Sequence, residues 1–470
     1  MSQTAAKAIS DKLMEKSRER WLSSRLTVLI VTDNPGASHD IVADVRKIGL
    51  DVQIAYYDGH KLAATPNEPP SAILCFFTDY LEKTPAVCAV LRKYYAPKEL
   101  PIIGAMMRPS AMNTDHFDTV IFAPIHSSQI ANRVDAMIRI GQMEVEISRR
   151  IQTFQDDFGI TNPIPRQYLD RQIRILFIGK ATPAFMVIVN ALQKKNIEVV
   201  AAFTSFSAFD YLHEQTFDAV VMNAVSDPEP ALTISETMRR NAQLYHVPSL
   251  LLIDPKTFEY DRVAYAQGVR DLLPIDAETE EVSGRIIELA NYHRIHEQLK
   301  QSFNSLTGTG CIDEDTGLFN EEFFTAHLDR LCKDCTRMEQ DLTLLAIHPT
   351  IDNVDSVAPH YLNQALIKVG SMLKNLVRMQ DVVARVDKDI FVLAFPNASE
   401  AVVENILTRI NGLADCAAFE TGRAEQPSFT FALNASIVQR AAKADGAILF
   451  QQTLAKLSAN IAKTPQFMAS

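Results

Sequence analysis

Residues 26–55 read LTVLIVTDNPGASHDIVADVRKIGLDVQIA. The aliphatic run 26–31 stops at Thr-Asp-Asn-Pro-Gly, a cluster of turn formers. A segment of helical period follows over 38–48, and a second short apolar run over 52–55. Strand, helix and strand in one such span make a βαβ unit, which predicts a parallel sheet. Apolar runs at 72–77, 102–105 and 119–122 complete the set. The same order then repeats, with strands expected over 173–178, 198–203, 219–222, 249–253 and 271–273. Each set ends in a long amphipathic helix. Met137, Ile140, Val145, Ile147 and Ile151 line the apolar face of the first, and the second runs from Val282 through Leu289 to Leu299 and Phe303. Such helices connect domains or pair subunits, or pack only against their own domain.

Gly308-Thr309-Gly310 punctuates the chain, and a different pattern begins at Cys311. A helix is expected over 323–338, a strand over 342–347 and a helix over 362–376. Two strands follow, 382–386 and 390–395, close enough to form a hairpin through Asp387-Lys388-Asp389. With a further strand over 429–437, this sheet is at least partly antiparallel. The expected organisation is an N-terminal helical extension (1–25), two repeated α/β domains (26–150 and 171–306) and a third α/β domain (311–470).

Composition agrees with several globular domains. The 470 residues are 47% apolar and 22% charged, too many for one core, and suggest about three domains. A net charge of -11 argues against nonspecific binding to DNA or to an anionic membrane surface. Six cysteines without a paired framework fit reduced thiols in a cytosol. Cys332-x-x-Cys335, with His327 before it, lies within an expected helix and reads as helix cysteines rather than a metal or redox site. The first 25 residues lack the apolar segment of a secretory signal, and no window is long and apolar enough to span a membrane. A cytoplasmic protein is expected.

Both repeats resemble response-regulator receiver domains of the flavodoxin-like fold, whose five-stranded parallel sheet carries an acid pair, a phosphoacceptor Asp, a Thr or Ser and a Lys. Phosphoryl transfer needs these groups because metal and lysine neutralise the phosphate oxygens. In the first repeat Asp33 survives, but the acceptor position is Phe76, the Thr position Met106 and the Lys position Ala123, before Pro124. Asp79, a stand-in acceptor, falls in the loop beyond. In the second repeat Gly179-Lys180 replaces the acids, Asn223 the acceptor and Ile253 the Thr, and residues 268–274 hold no Lys. Neither a phenyl ring nor a carboxamide forms an acyl phosphate, so neither repeat is expected to receive phosphate.

From Cys311 to Ala462 the chain resembles a GGDEF domain, the nucleotidyl-cyclase-like α/β fold of diguanylate cyclases with a mixed or antiparallel sheet. Asp313-Glu314-Asp315-Thr316-Gly317-Leu318-Phe319-Asn320 is similar to the family's D-x-L-T-G-L-x-N. The order receiver, receiver, GGDEF resembles PleD/PopA-type response regulators, and the PopA-like effectors most closely. The resemblance implies metal-binding acids on the first strand, where this chain has Ala346-Ile347-His348. The signature G-G-[DE]-E-F appears as Asp387-Lys388-Asp389-Ile390-Phe391, so only Asp389 keeps a signature charge. The guanine-reading Asn aligns with Val354 and a later Asp with Asn363. A hydrocarbon cannot replace a carboxylate at a metal, so no enzyme activity, catalytic residue, metal or cofactor is expected. A different metal site from His348, Asp352 and Asp355 is outweighed by a solvated loop.

The family's regulatory R-x-x-D, five residues before the signature turn, is present as Arg378-Met379-Gln380-Asp381, followed by residues 382–386. The family's second arginine falls on Arg409. The resemblance implies that Arg378, Asp381 and Arg409 bind cyclic di-GMP. Arginine forks match phosphate oxygens or guanine O6 and N7, and a carboxylate accepts from guanine N1–H and N2–H₂. A turn is expected to project both side chains outward, while Arg385 reads as structural. The implied function is a non-catalytic cyclic di-GMP effector in cell-cycle signalling, a homodimer recruiting adaptor proteins of regulated proteolysis at a cell pole. The alternative is a scaffold that binds no nucleotide.

Overall fold

The computed structural model describes residues 27–463, except 35, 37, 48–49, 58–61, 64–69, 78–83, 96–99, 107–115, 123–124, 161–170, 181, 242, 307–309, 339, 352–356, 423–427 and 442–443. The N-terminal extension, Asp79, Ala123, Pro124, Gly308, Thr309, Asp352, Val354 and Asp355 lie outside the described residues. Contacts divide the chain into two units. One holds the described residues of 1–141 and 166–299, the other those of 142–165 and 300–470.

In the first unit the apolar runs become parallel strands: Thr27–Thr32, Asp51–Tyr57, Ala72–Phe77, Ile102–Met106 and Thr119–Phe122. Their spatial order is second, first, third, fourth, fifth, that of flavodoxin-like receiver sheets. The second repeat builds the same order from Arg174–Ile178, Glu198–Ala202, Ala219–Asn223, Ser249–Ile253 and Asp271–Pro274. The physical cause is alternation. Val28, Ile30, Leu74 and Phe76 face one core of the first sheet, while Leu29, Val31, Ile73 and Cys75 face the other. A sheet covered on both faces needs unbroken apolar strands, and each fully buried Leu or Ile contributes roughly 1.5–3 kcal/mol. The first sheet also carries a short antiparallel edge strand, Leu62–Ala63, too brief to leave a periodic signal in sequence.

Polar contacts join the repeats inside this unit. Glu288, on the helix Thr279–Ser305, accepts from the Thr119 hydroxyl at 2.5 Å and the Val120 amide at 2.8 Å. The Gln129 amide donates to Asp271 at 2.9 Å. Arg285, almost fully buried, is neutralised by Glu281 at 3.2 Å and Asp271 at 3.7 Å, as a buried cation requires.

The helix Ser127–Asp156 departs from its expected apolar face. Met137, Ile140 and Ile147 are buried and Ile151 is half-buried, but Val145 is exposed. Two residues advance a helix by about 200°, so Val145 points away from Ile147. The buried positions along residues 142–156 include Glu146, Arg149, Arg150 and Thr153.

The second unit is built on four antiparallel strands in the order Val382–Arg385, Phe391–Pro396, Leu342–Thr350, Ala432–Gln439. One face packs Leu345, Ile347, Val383 and Leu393 against the helices Pro359–Leu376 and Glu400–Cys416. The other packs Leu344, Ala346, Ala384 and Val392 against Glu321–Met338 and Gly446–Lys463. The single strand expected over 429–437 is two strands. Ser428–Phe429 pairs with Phe419–Glu420 in a small hairpin, and Ala432–Gln439 joins the main sheet. Phe419, Phe429 and Phe431 pack together at the break, so the aromatic cluster splits the run. Cys332 and Cys335 are buried in the core, where burial pushes their thiols up to about 12 and about 11. Among the described residues, no helix is long and apolar enough to cross a membrane.

Candidate functional site

The hairpin between Val382–Arg385 and Phe391–Pro396 closes with the Val386 amide donating to the Ile390 carbonyl at 2.9 Å. Asp387 and Lys388 are exposed at its tip. Arg385 holds the tip from below. Its guanidinium donates to the Lys388 carbonyl from Nε at 3.0 Å, and to Asp313 and Asp315 from Nη1 at 3.2 Å each. Asp313 also accepts from the Thr316 amide at 2.9 Å and the Thr316 hydroxyl at 2.6 Å. Burial alone would raise its pKa, but these donors and Arg385 outweigh it and hold the carboxyl below its ordinary value. The D-E-D-T-G segment is thus the buttress of the signature turn.

On the neighbouring strand, His348 Nε2 lies 3.1 Å from Asp389 Oδ2. Among the described residues, His348 Nδ1 is buried with no hydrogen-bond partner. An imidazole–carboxylate pair therefore occupies the space between first strand and signature turn. Ile390 is half-buried and Phe391 fully buried. Asn363 is half-buried on the helix Pro359–Leu376.

The Arg378–Asp381 turn leaves that same helix and enters Val382–Arg385. It closes on itself: the Asp381 amide donates to the Arg378 carbonyl at 3.0 Å, and the Arg378 amide donates to Asp381 Oδ2 at 2.8 Å. Arg378 is exposed, as expected. Asp381 is not, with only 8% of its surface accessible; the expectation that both side chains project outward holds for the arginine alone. The backbone bond draws the short Asp side chain back under the turn. Burial pushes its pKa up to about 7, against the opposing pull of Arg378 and its amide. Arg409 lies exposed on Glu400–Cys416, a helix that packs beside Pro359–Leu376. Among the described residues neither the Arg378 nor the Arg409 guanidinium donates a hydrogen bond.

Residues 311–457 match the family profile of the diguanylate cyclase, GGDEF domain. This part of the chain is a GGDEF domain. Over 195 residues the chain is 24% identical to the response regulator PleD of Caulobacter vibrioides strain NA1000 / CB15N, a match covering 41% of this chain and 43% of that protein. The chain thus spans less than half the length of the curated relatives it matches. Among solved structures it is similar to the GGDEF domain of DgcB from Caulobacter crescentus in complex with c-di-GMP (18% identity, 34% of this chain and 92% of that one, TM-score 0.31). It is also similar to the FimX GGDEF domain from Pseudomonas aeruginosa (18% identity, 33% and 94%, TM-score 0.30).

Beside the R-x-x-D turn of the GGDEF domain lies a buried polar cluster that sequence reading did not single out. Glu146, 1% exposed, accepts from Arg149 Nη1 at 2.5 Å and Arg150 Nε at 2.7 Å, and lies 3.0 Å from His327 Nε2. Arg150 Nη2 donates to the carbonyls of Met379 at 3.1 Å and Asp381 at 3.0 Å. Burial would raise the Glu146 pKa, but His327, Arg150 and Arg149 together hold the carboxyl far below its ordinary range. Burial pushes His327 down against the pull of Glu146. The only sequence signal was the spacing of an acid and two arginines at i, i+3 and i+4, which equally describes a solvated helix face.

The two positions expected to correspond to a phosphoacceptor differ in their surroundings. Phe76 is buried in the core of the first sheet. Asn223 ends its strand half-buried, and its Oδ1 accepts from the Val225 amide at 3.1 Å. Met106 and Ile253 are buried, Lys180 is exposed and Asp33 is half-buried.

Proposed function

We propose that the GGDEF domain of this chain binds cyclic di-GMP at Arg378, Asp381 and Arg409 and catalyses no cyclisation of GTP. The observation that carries the reading is the exposed Arg378 guanidinium, which among the described residues donates no hydrogen bond, at one end of a turn whose other end carries the Asp381 carboxylate, bonded to the Arg378 amide. A cation fork and a carboxylate together are the donor and acceptor set that a guanine edge demands, and the fork alone suits a phosphate. Arg409, on the adjacent helix, supplies a second fork. The catalytic half of the reading rests on lost ligands. Hard divalent cations need several oxygen donors, and here Ala346 and Ile390 contribute none, while Asp389 faces His348. With Phe76 and Asn223 at the acceptor positions, the receiver-like domains serve as scaffold and as partner-binding surface. The wider assignment follows the PopA-like resemblance: a homodimeric adaptor of cell-cycle signalling that presents protein partners according to ligand occupancy.

Titration calorimetry of the full chain with cyclic di-GMP tests the binding. The expected result is saturable binding that Arg378→Ala abolishes; no heat at micromolar protein overturns it. Incubation with GTP and Mg²⁺ or Mn²⁺, followed by mass spectrometry, is expected to yield no cyclic dinucleotide, and product formation overturns the non-enzymatic half. One observation favours the ligand-independent scaffold as a second reading. The Asp381 carboxylate is already bonded to its own turn, and a site satisfied internally has less to offer a ligand.

A further inference from the structure

We infer that Arg150 is a positioning residue for the Arg378–Asp381 turn, so that the nucleotide site of the GGDEF domain is set from a helix outside residues 311–457. This inference rests on the proposed ligand site and names a control over it. The argument begins with the turn. Its two internal bonds, Asp381 N to Arg378 O and Arg378 N to Asp381 Oδ2, leave the carbonyls of Met379 and Asp381 facing inward. Both accept from one nitrogen, Arg150 Nη2. A buried carbonyl without a donor is costly, so removal of this guanidinium forces the turn to move or to admit water.

Arg150 is itself tightly held. Its Nε donates to Glu146, and its guanidinium lies 4.7 Å from the Phe303 ring centroid and 5.3 Å from that of Phe319. Glu146 is fixed by Arg149, whose Nε donates to Asp334 at 2.9 Å, and by His327, whose Nδ1 lies 2.9 Å from the Thr153 hydroxyl. An ionised carboxylate only accepts, so His327 Nε2 carries the proton toward it. Glu146, Arg149, Arg150 and His327 are each almost wholly buried. A close-packed, fully paired cluster of this kind has few alternative arrangements. Displacement of residues 142–156 therefore drags the turn, and occupation of the turn by ligand resists that displacement to the same extent, because such coupling is reciprocal.

The test uses the full chain and three variants: Arg150→Met, which keeps the apolar stem against Phe303 and Phe319, Arg150→Lys and Glu146→Gln. Cyclic di-GMP affinity is measured by calorimetry, and amide hydrogen exchange at residues 378–382 is measured without ligand. The expected result is an Arg150→Met affinity roughly tenfold weaker, faster exchange at the Asp381 amide, and partial recovery of both in Arg150→Lys. Should Arg150→Met fail to fold, Glu146→Gln is expected to show the same two changes. Wild-type binding with unchanged affinity in the variants overturns the inference and leaves the ligand site standing. No wild-type binding overturns the ligand site, and unchanged exchange in the variants then overturns the positioning role as well.

Discussion

Asp381 makes the proposed ligand site a proton-linked one. With its pKa near 7, the carboxyl is ionised in about one tenth of molecules at pH 6 and about nine tenths at pH 8. A guanine edge offers N–H donors to this group, so only the ionised form accepts both. Cyclic di-GMP affinity is therefore expected to tighten about tenfold from pH 6 to pH 8, with close to one proton released per site at the acidic end. Burial sets the high value, Arg378 and Arg150 pull against it, and Glu146 adds to it. The assay is calorimetry in buffers of different ionisation enthalpy at several pH values, which counts released protons directly. Affinity that is flat between pH 6 and 8, with no proton release, refutes the reasoning. The same group leaves a mark on stability. Between its ordinary value of 3.8 and about 7 the folded protein holds a proton that the unfolded chain has lost. Its contribution therefore falls as pH rises through that window, by about 1.4 kcal/mol per unit or about 4 kcal/mol in all. Asp381→Asn is expected to remove both effects.

Glu146→Gln leaves Arg149 and Arg150 buried without their shared carboxylate, so a loss of about 3–5 kcal/mol is expected, read as a lowered thermal midpoint; an unchanged midpoint contradicts it. Since Glu146 is held far below the ordinary carboxylate range, its contribution is complete above pH ~4.5 and is lost progressively as the pH falls below that value. Arg409→Ala is expected to weaken cyclic di-GMP binding about tenfold, with Arg409→Lys recovering only part, because an ammonium lacks the planar fork. Acetyl phosphate is expected to leave both receiver-like domains unlabelled, and a labelled residue found by mass spectrometry refutes that expectation.

The strands of both receiver-like sheets were legible because each is short, apolar and bounded by turn formers. Ala72–Phe77 is buried at every position, and its sequence says so without help. The signature hairpin was legible for the same reason, with Asp387-Lys388-Asp389 between two apolar runs. The Phe419–Glu420 and Ser428–Phe429 hairpin was not, because a two-residue strand has no period to read. Nor was the buried Arg150. An acid and two arginines at helical spacing look the same whether they face water or a core.

Local order was written in the chain: which residues alternate, where turns must fall, which positions lack a carboxylate or a glycine. These properties depend on neighbours a few residues apart, and periodicity records them. Only the folded molecule decided the state of Asp381. Arg150 lies 231 residues before it, yet grips the carbonyl of the same residue, and the packing around that contact buries the carboxyl and raises its pKa. Burial is a property of the assembled core, and no pattern within Arg378-Met379-Gln380-Asp381 encodes it.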